Sequence, residues 1–308
     1  MIYLQLKERL GNQFFQYAFA RTLMEETGDS LTINIEEYVK KNQQSKGWRN
    51  QLDEFNVKPF QIINGCSIKN PNISLLLKIV LNIFRRKFYS TPKEKQHQVE
   101  KKFAPILNRL GVFWCMEGYI QPHKPYKFIK DKYIFGYFES PKFFKLVDKE
   151  LKNELTAKEP LIDSNKELYE KIKNSNSICV TVRRGDFLND EFKSALYICN
   201  EEYFKRGVDY IKSKVPDAIV FVFSDDIEWA KENLNYGETY YETGNDPVWE
   251  KLRLMSACKH FVISNSTFSW WAQHLSLNNE KIVVAPSRWR NDDLTVDIYE
   301  ENWNIIEV

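Results

Sequence analysis

Three short segments carry side chains suited to holding an anion. Arg183 and Arg184 close the β-branched run Ile178-Cys179-Val180-Thr181-Val182 and are followed by Gly185 and Asp186. A guanidinium is planar, always charged and matched in its paired donors to phosphate oxygens. Gly185 permits a tight backbone turn beside them. The pattern suits a bound diphosphate, and it equally suits an internal ion pair with Asp186. Arg184-Gly185-Asp186 is also an adhesion-type tripeptide, a reading disfavoured directly after a buried strand. In the second segment, Ser264, Asn265, Ser266 and Thr267 precede a helical pattern through Trp270 and Trp271. One of the four suffices as an N-cap, and four together favour an anion seated on the free N–H groups of a helix start. In the third, Ser224, Asp225 and Asp226 follow the apolar run Ala218 to Phe223. Carboxylates there can accept hydrogen bonds from the base or ribose of a nucleotide. Asp226 can also cap the next helix, and an aspartate pair can bind a metal. The metal reading ranks below the others, since arginines and a helix start already neutralise a diphosphate.

Each segment needs a strand to end just before it. The spacing predicts strands at 178–182, 218–223, 239–243, 260–264 and 281–285, alternating with helices at 200–214, 226–234, 247–258 and 267–277. Alternation of this kind means a parallel α/β sheet. The chain begins the same way, with a strand at 2–6, a helix from Asn12 to Thr27 and a strand at 31–35. Strand-like runs at 113–119 and 133–138 and a helical one at 141–151 follow. Residues 156–173 read as a polar connection. The expectation is two Rossmann-like domains, 1–160 and 161–308, facing a cleft, with ligands outside the carboxyl ends of the strands.

A chain of 308 residues with a net charge of +2 gives no support to nucleic-acid binding. Five cysteines, Cys66, Cys115, Cys179, Cys199 and Cys258, lack close pairing and read as buried thiols in a reducing compartment. The histidines form no metal-ligand pattern. The start reads as a strand rather than a signal peptide, and no apolar run is long enough to span a bilayer, so the cytoplasm is the expected location. Ile73, Leu76, Leu77, Val80, Leu81 and Phe84 recur at helical spacing, with Ser74, Lys78 and Asn82 opposite. From Lys78 to Lys102, eight basic residues face two acidic ones. The preferred reading is a core helix followed by a solvated basic loop. The alternative is weak peripheral contact of 73–102 with the inner face of an anionic membrane.

Seven blocks, in order, resemble the α-1,2-fucosyltransferases of glycosyltransferase family eleven. Gly11-Asn12-Gln13-Phe14-Phe15-Gln16-Tyr17-Ala18 is similar to the G-N-Q-x-x-Q-Y-A motif, and Gly136 to Ser140 to G-Y-F-Q-S. Val182 to Phe187 resembles R-R-G-D-Y, Phe223 to Trp229 F-S-D-D-x-x-W, and Leu254 to Cys258 L-M-S-x-C. Asn265 to Trp271 resembles N-S-T-F-S-W-W, and Ala285-Pro286 with Trp289 resembles A-P-x-x-W. The resemblance implies the GT-B type of architecture, a GDP-fucose donor bound mainly by the C-terminal domain, inversion at the anomeric carbon, and no metal or other cofactor. By position, Arg183 and Arg184 would meet the diphosphate, and Asn265, Ser266 and Thr267 the phosphate or nucleotide. Ser224, Asp225 and Asp226 would lie at guanine or ribose, and Asn12 and Gln13 near the fucose. Two departures stand out. Thr181 replaces a histidine, and Lys7-Glu8-Arg9-Leu10 replaces the glycine-rich entry of G-G-L-G-N-Q.

Inverting transfer needs the leaving diphosphate stabilised as it gains charge, usually the largest catalytic term, and a base on the acceptor hydroxyl. Asp186 is the first candidate for the base, with Glu8, Asp190 and Glu191 after it; an equal alternative is that Asp186 only orients Arg183. The expected activity is fucosyl transfer to a glycan acceptor, at O-2 of a terminal galactoside, in surface glycan or O-antigen synthesis. Alternatives are a transferase for another nucleotide sugar and a non-catalytic nucleotide- or carbohydrate-binding protein.

Overall fold

The computed structural model describes residues 1–40, 48–65, 75–124 and 126–308. Cys66, Ile73 and Ser74 lie outside the described residues. The chain divides into two compact units, Met1–Leu155 with Leu294–Tyr299, and Thr156–Asp293 with Glu300–Val308. The change of unit thus falls at Leu155, and a short C-terminal segment returns to the first unit.

The first unit is built on strands β1 (Ile2–Gln5), β2 (Leu31–Asn34), β3 (Phe60–Ile63), β4 (Val112–Cys115) and β5 (Lys132–Gly136), in the order β3-β2-β1-β5-β4. Every pairing is parallel. Its helices are α1 (Leu10–Thr27), α2 (Glu36–Lys40), α3 (Leu75–Tyr89), α4 (Lys93–Arg109) and α5 (Asp148–Glu154). Helix α1 is buried nearly all round, and its polar side chains are matched accordingly. Gln16 accepts from the Lys7 N–H (3.0 Å) and donates to the Lys7 carbonyl (3.1 Å). Arg21 pairs with Glu154 at 3.0 Å. Residues 294–299 are held by Asp297, which takes Lys142 Nζ at 2.8 Å and the Ser140 hydroxyl at 3.3 Å, and by the buried Ile298.

The supposed basic loop is helix α4. Its buried positions include His97, Glu100 and Asn108 as well as Val99, Ala104 and Leu107, so no apolar stripe marks it in the sequence. Pro105 also argues against a helix on sequence grounds. Helix α3 buries Leu77, Val80, Leu81, Phe84 and Phe88, with Phe84 and Phe88 edge-on to Trp114 of β4. Lys78 and Asn82 are exposed, as expected of the outer side of α3, but that side is not polar throughout: Leu76, counted toward the core, is 58% exposed, and Leu75, Ile79 and Ile83 are exposed with it.

The second unit carries β6 (Ser177–Val182), β7 (Ile219–Ser224), β8 (Thr239–Tyr241), β9 (His260–Val262), β10 (Val283–Pro286) and β11 (Asn304–Ile306), in the order β11-β10-β9-β6-β7-β8. All pairings are again parallel. Its helices are α6 (Lys166–Asn174), α7 (Asp190–Leu196), α8 (Glu201–Lys214), α9 (Ile227–Asn233), α10 (Val248–Ser256) and α11 (Thr267–Leu275). The stretch 156–173 is not a bare connection. It contains most of α6, and its approach is fixed by Glu250, which accepts from the Ile162 N–H at 3.0 Å and from Asn165 Nδ2 at 3.2 Å. The core joins Val180, Val222, Val262 and Val284 of the sheet to Tyr203, Phe204 and Ile211 of α8. Strands so buried on both faces become apolar runs, which is why the sequence shows them plainly.

Strand succession in the second sheet runs outward from β6 through β7 to β8, then restarts on the other side at β9. The reversal lies between β6 and β9, and in such sheets a ligand crevice opens outside the carboxyl ends of the strands at that point.

Candidate active site

At that edge the loops after β6, β7 and β9 lie side by side. Arg183 Nη2 donates to Asp186 Oδ2 at 2.8 Å, and its Nη1 to Asp225 Oδ2. Arg184 Nε donates to Asp226 Oδ2 at 3.1 Å and its Nη1 to the Tyr197 hydroxyl at 3.0 Å. Its guanidinium lies 3.7 Å from the centroid of the Trp229 ring. The Arg184 N–H donates to Asp225 Oδ1 at 2.8 Å. Gly185 suits this close approach, since a Cβ there would lie 2.7 Å from the Asp225 carboxylate and displace it. The two arginines and three aspartates therefore form one network, so the ion pair with Asp186 exists in the structure.

Ser224 is buried; its hydroxyl accepts from the Asp226 N–H at 3.0 Å, and its own N–H donates to Glu242 at 3.4 Å. Asp226 caps α9 by accepting from the Trp229 N–H at 3.4 Å. Asn265 is buried, and its amide donates to the carbonyls of Leu196 (2.9 Å) and Trp289 (3.0 Å). It ties three loops together. Ser266 occupies the N-cap of α11, yet its side chain makes no capping hydrogen bond. Thr267, half-buried, opens the helix. The Ser264 N–H donates to the Thr181 hydroxyl at 3.0 Å, which locks the β9 loop to the end of β6.

In the first unit the carboxyl ends of the adjacent strands β1 and β5 present a second polar group. Gln13 is fully buried there. Its Nε2 donates to the Glu8 carbonyl (2.9 Å), the Tyr38 hydroxyl (3.0 Å) and the Arg49 carbonyl (2.7 Å), and its Oε1 accepts from the Gln51 N–H (2.9 Å). Asn12 sits half-buried one residue earlier. The Tyr137 hydroxyl donates to the Glu8 carboxylate, and burial together with the charges of Glu8, Glu139 and Glu37 pushes its pKa up. Among the described residues, no group of three or more His, Cys, Asp or Glu side chains is placed to hold a metal ion. Cys115, Cys179, Cys199 and Cys258 are free and buried, and burial pushes the Cys199 thiol up to about 12.

Residues 1–307 match the family described as Glycosyl transferase family 11. The chain belongs to that family. It is a glycosyltransferase. It is 27% identical over 310 residues to the O-antigen biosynthesis glycosyltransferase WbnK of Escherichia coli, with 94% of each chain covered. It is also 27% identical over 309 residues to an alpha-1,2-colitosyltransferase of Escherichia coli, covering 97% of this chain and 96% of the relative. A galactoside 2-alpha-L-fucosyltransferase of Caenorhabditis elegans is 29% identical over 181 residues, 54% of this chain and 49% of its own.

The departures from the family 11 pattern now have a physical reading. Thr181, in place of histidine, is buried and supplies the hydroxyl that fixes Ser264. Glu8 falls on one of the motif's paired glycines, and it holds φ at +59°, the left-handed region that favours glycine. Phe138, after β5, is the other non-glycine residue at positive φ among those described, but it stacks on Phe19 within the core. Glu8 has no such apolar burial to offset the strain. Glu8→Gly is therefore expected to change stability by no more than about 1 kcal/mol, since about 1–2 kcal/mol of relieved strain is offset by roughly 0.5–1 kcal/mol for the greater freedom of an unfolded glycine and about 0.5–1.5 kcal/mol for the lost hydrogen bond from Tyr137. Transfer activity should fall, since strain kept without a packing gain marks a functional position. Thermal melts and initial rates on the same variant check both; a folded variant with full activity would show that the carboxylate does nothing for transfer.

Tyr197 and Glu242 were not singled out by the sequence. Trp229 stood in the F-S-D-D-x-x-W block, but its place against the Arg184 guanidinium was not foreseen. Glu242 is fully buried, accepting from Lys251 Nζ at 2.8 Å, and Tyr197 reaches Arg184 only through the fold.

Proposed function

We propose that this family 11 enzyme moves L-fucose from GDP-fucose to a sugar hydroxyl, O-2 of a terminal galactoside, with inversion and without a metal, in surface glycan or O-antigen synthesis. The observation that carries the reading is that Arg183 and Arg184 follow β6 and the start of α11 follows β9, two paired strands at the topological reversal of the second sheet whose ends are locked by the Ser264 N–H on the Thr181 hydroxyl. Cationic forks and N–H groups there are suited to a departing diphosphate, and both act more strongly as its charge grows. Asp225 and Asp226 hold the two arginines, and in this reading one of these contacts gives way to phosphate oxygens when the donor binds. Asp186, bonded to Arg183, orients it. Ser224, Asn265 and Gln13 act in this reading by fixing loops, since their polar atoms are already engaged. Ser266, Thr267 and Asn12 are assigned as direct donor contacts by their positions in the family motifs.

Incubation with GDP-fucose and a panel of galactosides, scored by GDP release and by the linkage of the product, tests the proposal. GDP release with an α-1,2 product is the expected result. Binding of GDP without turnover would mean a non-catalytic protein. The equal identity to a relative named as a colitosyltransferase favours a second reading, in which the donor sugar is colitose; rates with the two nucleotide sugars, compared side by side, decide it. Full activity is expected in EDTA, and loss there with recovery on adding Mg²⁺ or Mn²⁺ would show that protein cations do not suffice.

Among the described residues no helix is long and apolar enough to cross a membrane. A cytoplasmic location, with weak peripheral contact through 73–102, belongs to the same proposal.

A further inference from the structure

Helix α3 has two apolar faces. Leu77, Val80, Leu81, Phe84 and Phe88 pack on β4 and β5. On the opposite side Leu75, Ile79 and Ile83 recur every four residues, 75%, 48% and 56% exposed, with Leu76 beside them. No other described part of the chain covers them. A side chain of this kind on a surface helix is ordinary when alone; a continuous stripe on one helix marks an interaction surface. The stripe is bordered by Lys78 and Lys87, and Arg86 lies on its C-terminal end, all three exposed. The helix Leu75–Tyr89 contains no acidic residue.

We propose that this outward face of α3 docks on a bilayer surface rich in anionic lipid, with Leu75, Leu76, Ile79 and Ile83 among the upper acyl segments and Lys78, Arg86 and Lys87 at the headgroups. An apolar stripe with cations along its edges is the pattern of a helix lying in the membrane interface. Charge chooses the occupant. A second copy of the chain, paired about a two-fold axis on this face, would set cationic helix against cationic helix and offer no carboxylate from α3 to either. An anionic surface meets all of them favourably, and Lys93, Lys95, Lys101 and Lys102, exposed on α4, add to the attraction at longer range. This inference rests on the peripheral contact proposed above for 73–102 and names its face and partner; vesicle partition tests it without reference to the donor sugar, so its failure leaves the transferase reading untouched.

The full chain should sediment with vesicles containing phosphatidylglycerol at low salt. Partition should be roughly tenfold or more weaker on pure phosphatidylcholine, and should fall by a similar factor when salt shortens the Debye length to about 3–5 Å. Ile79→Ser with Ile83→Ser, and separately Arg86→Gln with Lys87→Gln, should each lower partition at least several-fold while leaving the melting curve unchanged. Lys205→Gln with Lys212→Gln, on α8 of the other unit, should leave partition unaltered. Recovery in the supernatant at low salt with anionic vesicles overturns the proposal. So does equal binding to both lipids, or an equal loss from the α8 pair. A dimer by light scattering that dissociates in the Ile79→Ser, Ile83→Ser variant would assign the face to a second copy instead.

Discussion

Arg183→Ala is expected to lower kcat/KM for transfer by about 10²-fold or more, the size of effect that follows loss of one donor to a developing anion. Arg183 leaves the end of β6 at the reversal of the second sheet and reaches two carboxylates, Asp186 and Asp225, while remaining 24% exposed. Half-exposed pairs of this sort contribute about 0–1 kcal/mol, so the melting temperature should move by no more than about 2–4 °C. Arg183→Lys preserves the charge and discards the planar fork, and should recover little of the rate. If the arginine served only to bind Asp186 and Asp225 together, the order would reverse, with a clear loss of stability and near-normal turnover in the folded fraction. Rates and melts on one preparation separate the two.

Gln13→Ala is expected to produce the largest loss of stability among the residues discussed. The side chain is fully buried and all of its hydrogen-bonding capacity is used, on Glu8, Tyr38, Arg49 and Gln51. Deleting it orphans several buried groups at about 1–3 kcal/mol each and leaves a void. A total of roughly 3–5 kcal/mol is the range such combined losses reach, lowering the melting temperature by about 10 °C. A glutamine whose amide instead touched the donor sugar would leave the melt alone and raise KM for the nucleotide sugar. Donor titrations alongside the melt distinguish a loop-fixing residue from a contact.

Much of the second unit was legible because burial writes itself into composition: β7 is apolar along almost its whole length, and the segments after β6, β7 and β9 could be aligned at one edge before any coordinates. Other elements left no such trace. Strand β3 is a half-exposed edge of four residues, and β11 is a three-residue edge reached after a long irregular stretch. Helix α4 inverts the usual code, with His97, Glu100 and Asn108 inside and lysines outside. The candidate anion-holding residues were visible as types, and so were the Asp186 pair and the Asp226 cap, but their other partners were not. Nothing in the spacing joins Arg184 to Tyr197, or assigns Asn265 to two distant carbonyls. The left-handed backbone at Glu8 was hidden for a different reason: the sequence shows the departure from glycine, and only the dihedral shows that the chain kept glycine's conformation.

The last fifteen residues serve both units in turn. Leu294–Tyr299 belongs to the first, through Asp297 with Lys142 and Ser140, and β11 then completes the edge of the second sheet beside β10. The polypeptide consequently changes unit three times, and dissection at Leu155 does not yield two self-sufficient pieces. A fragment ending there lacks the strap that Asp297 anchors, and a fragment starting at Thr156 carries six residues whose partners have been removed. Any attempt to express the second unit alone is better served by replacing 294–299 with a neutral linker that keeps β11 attached.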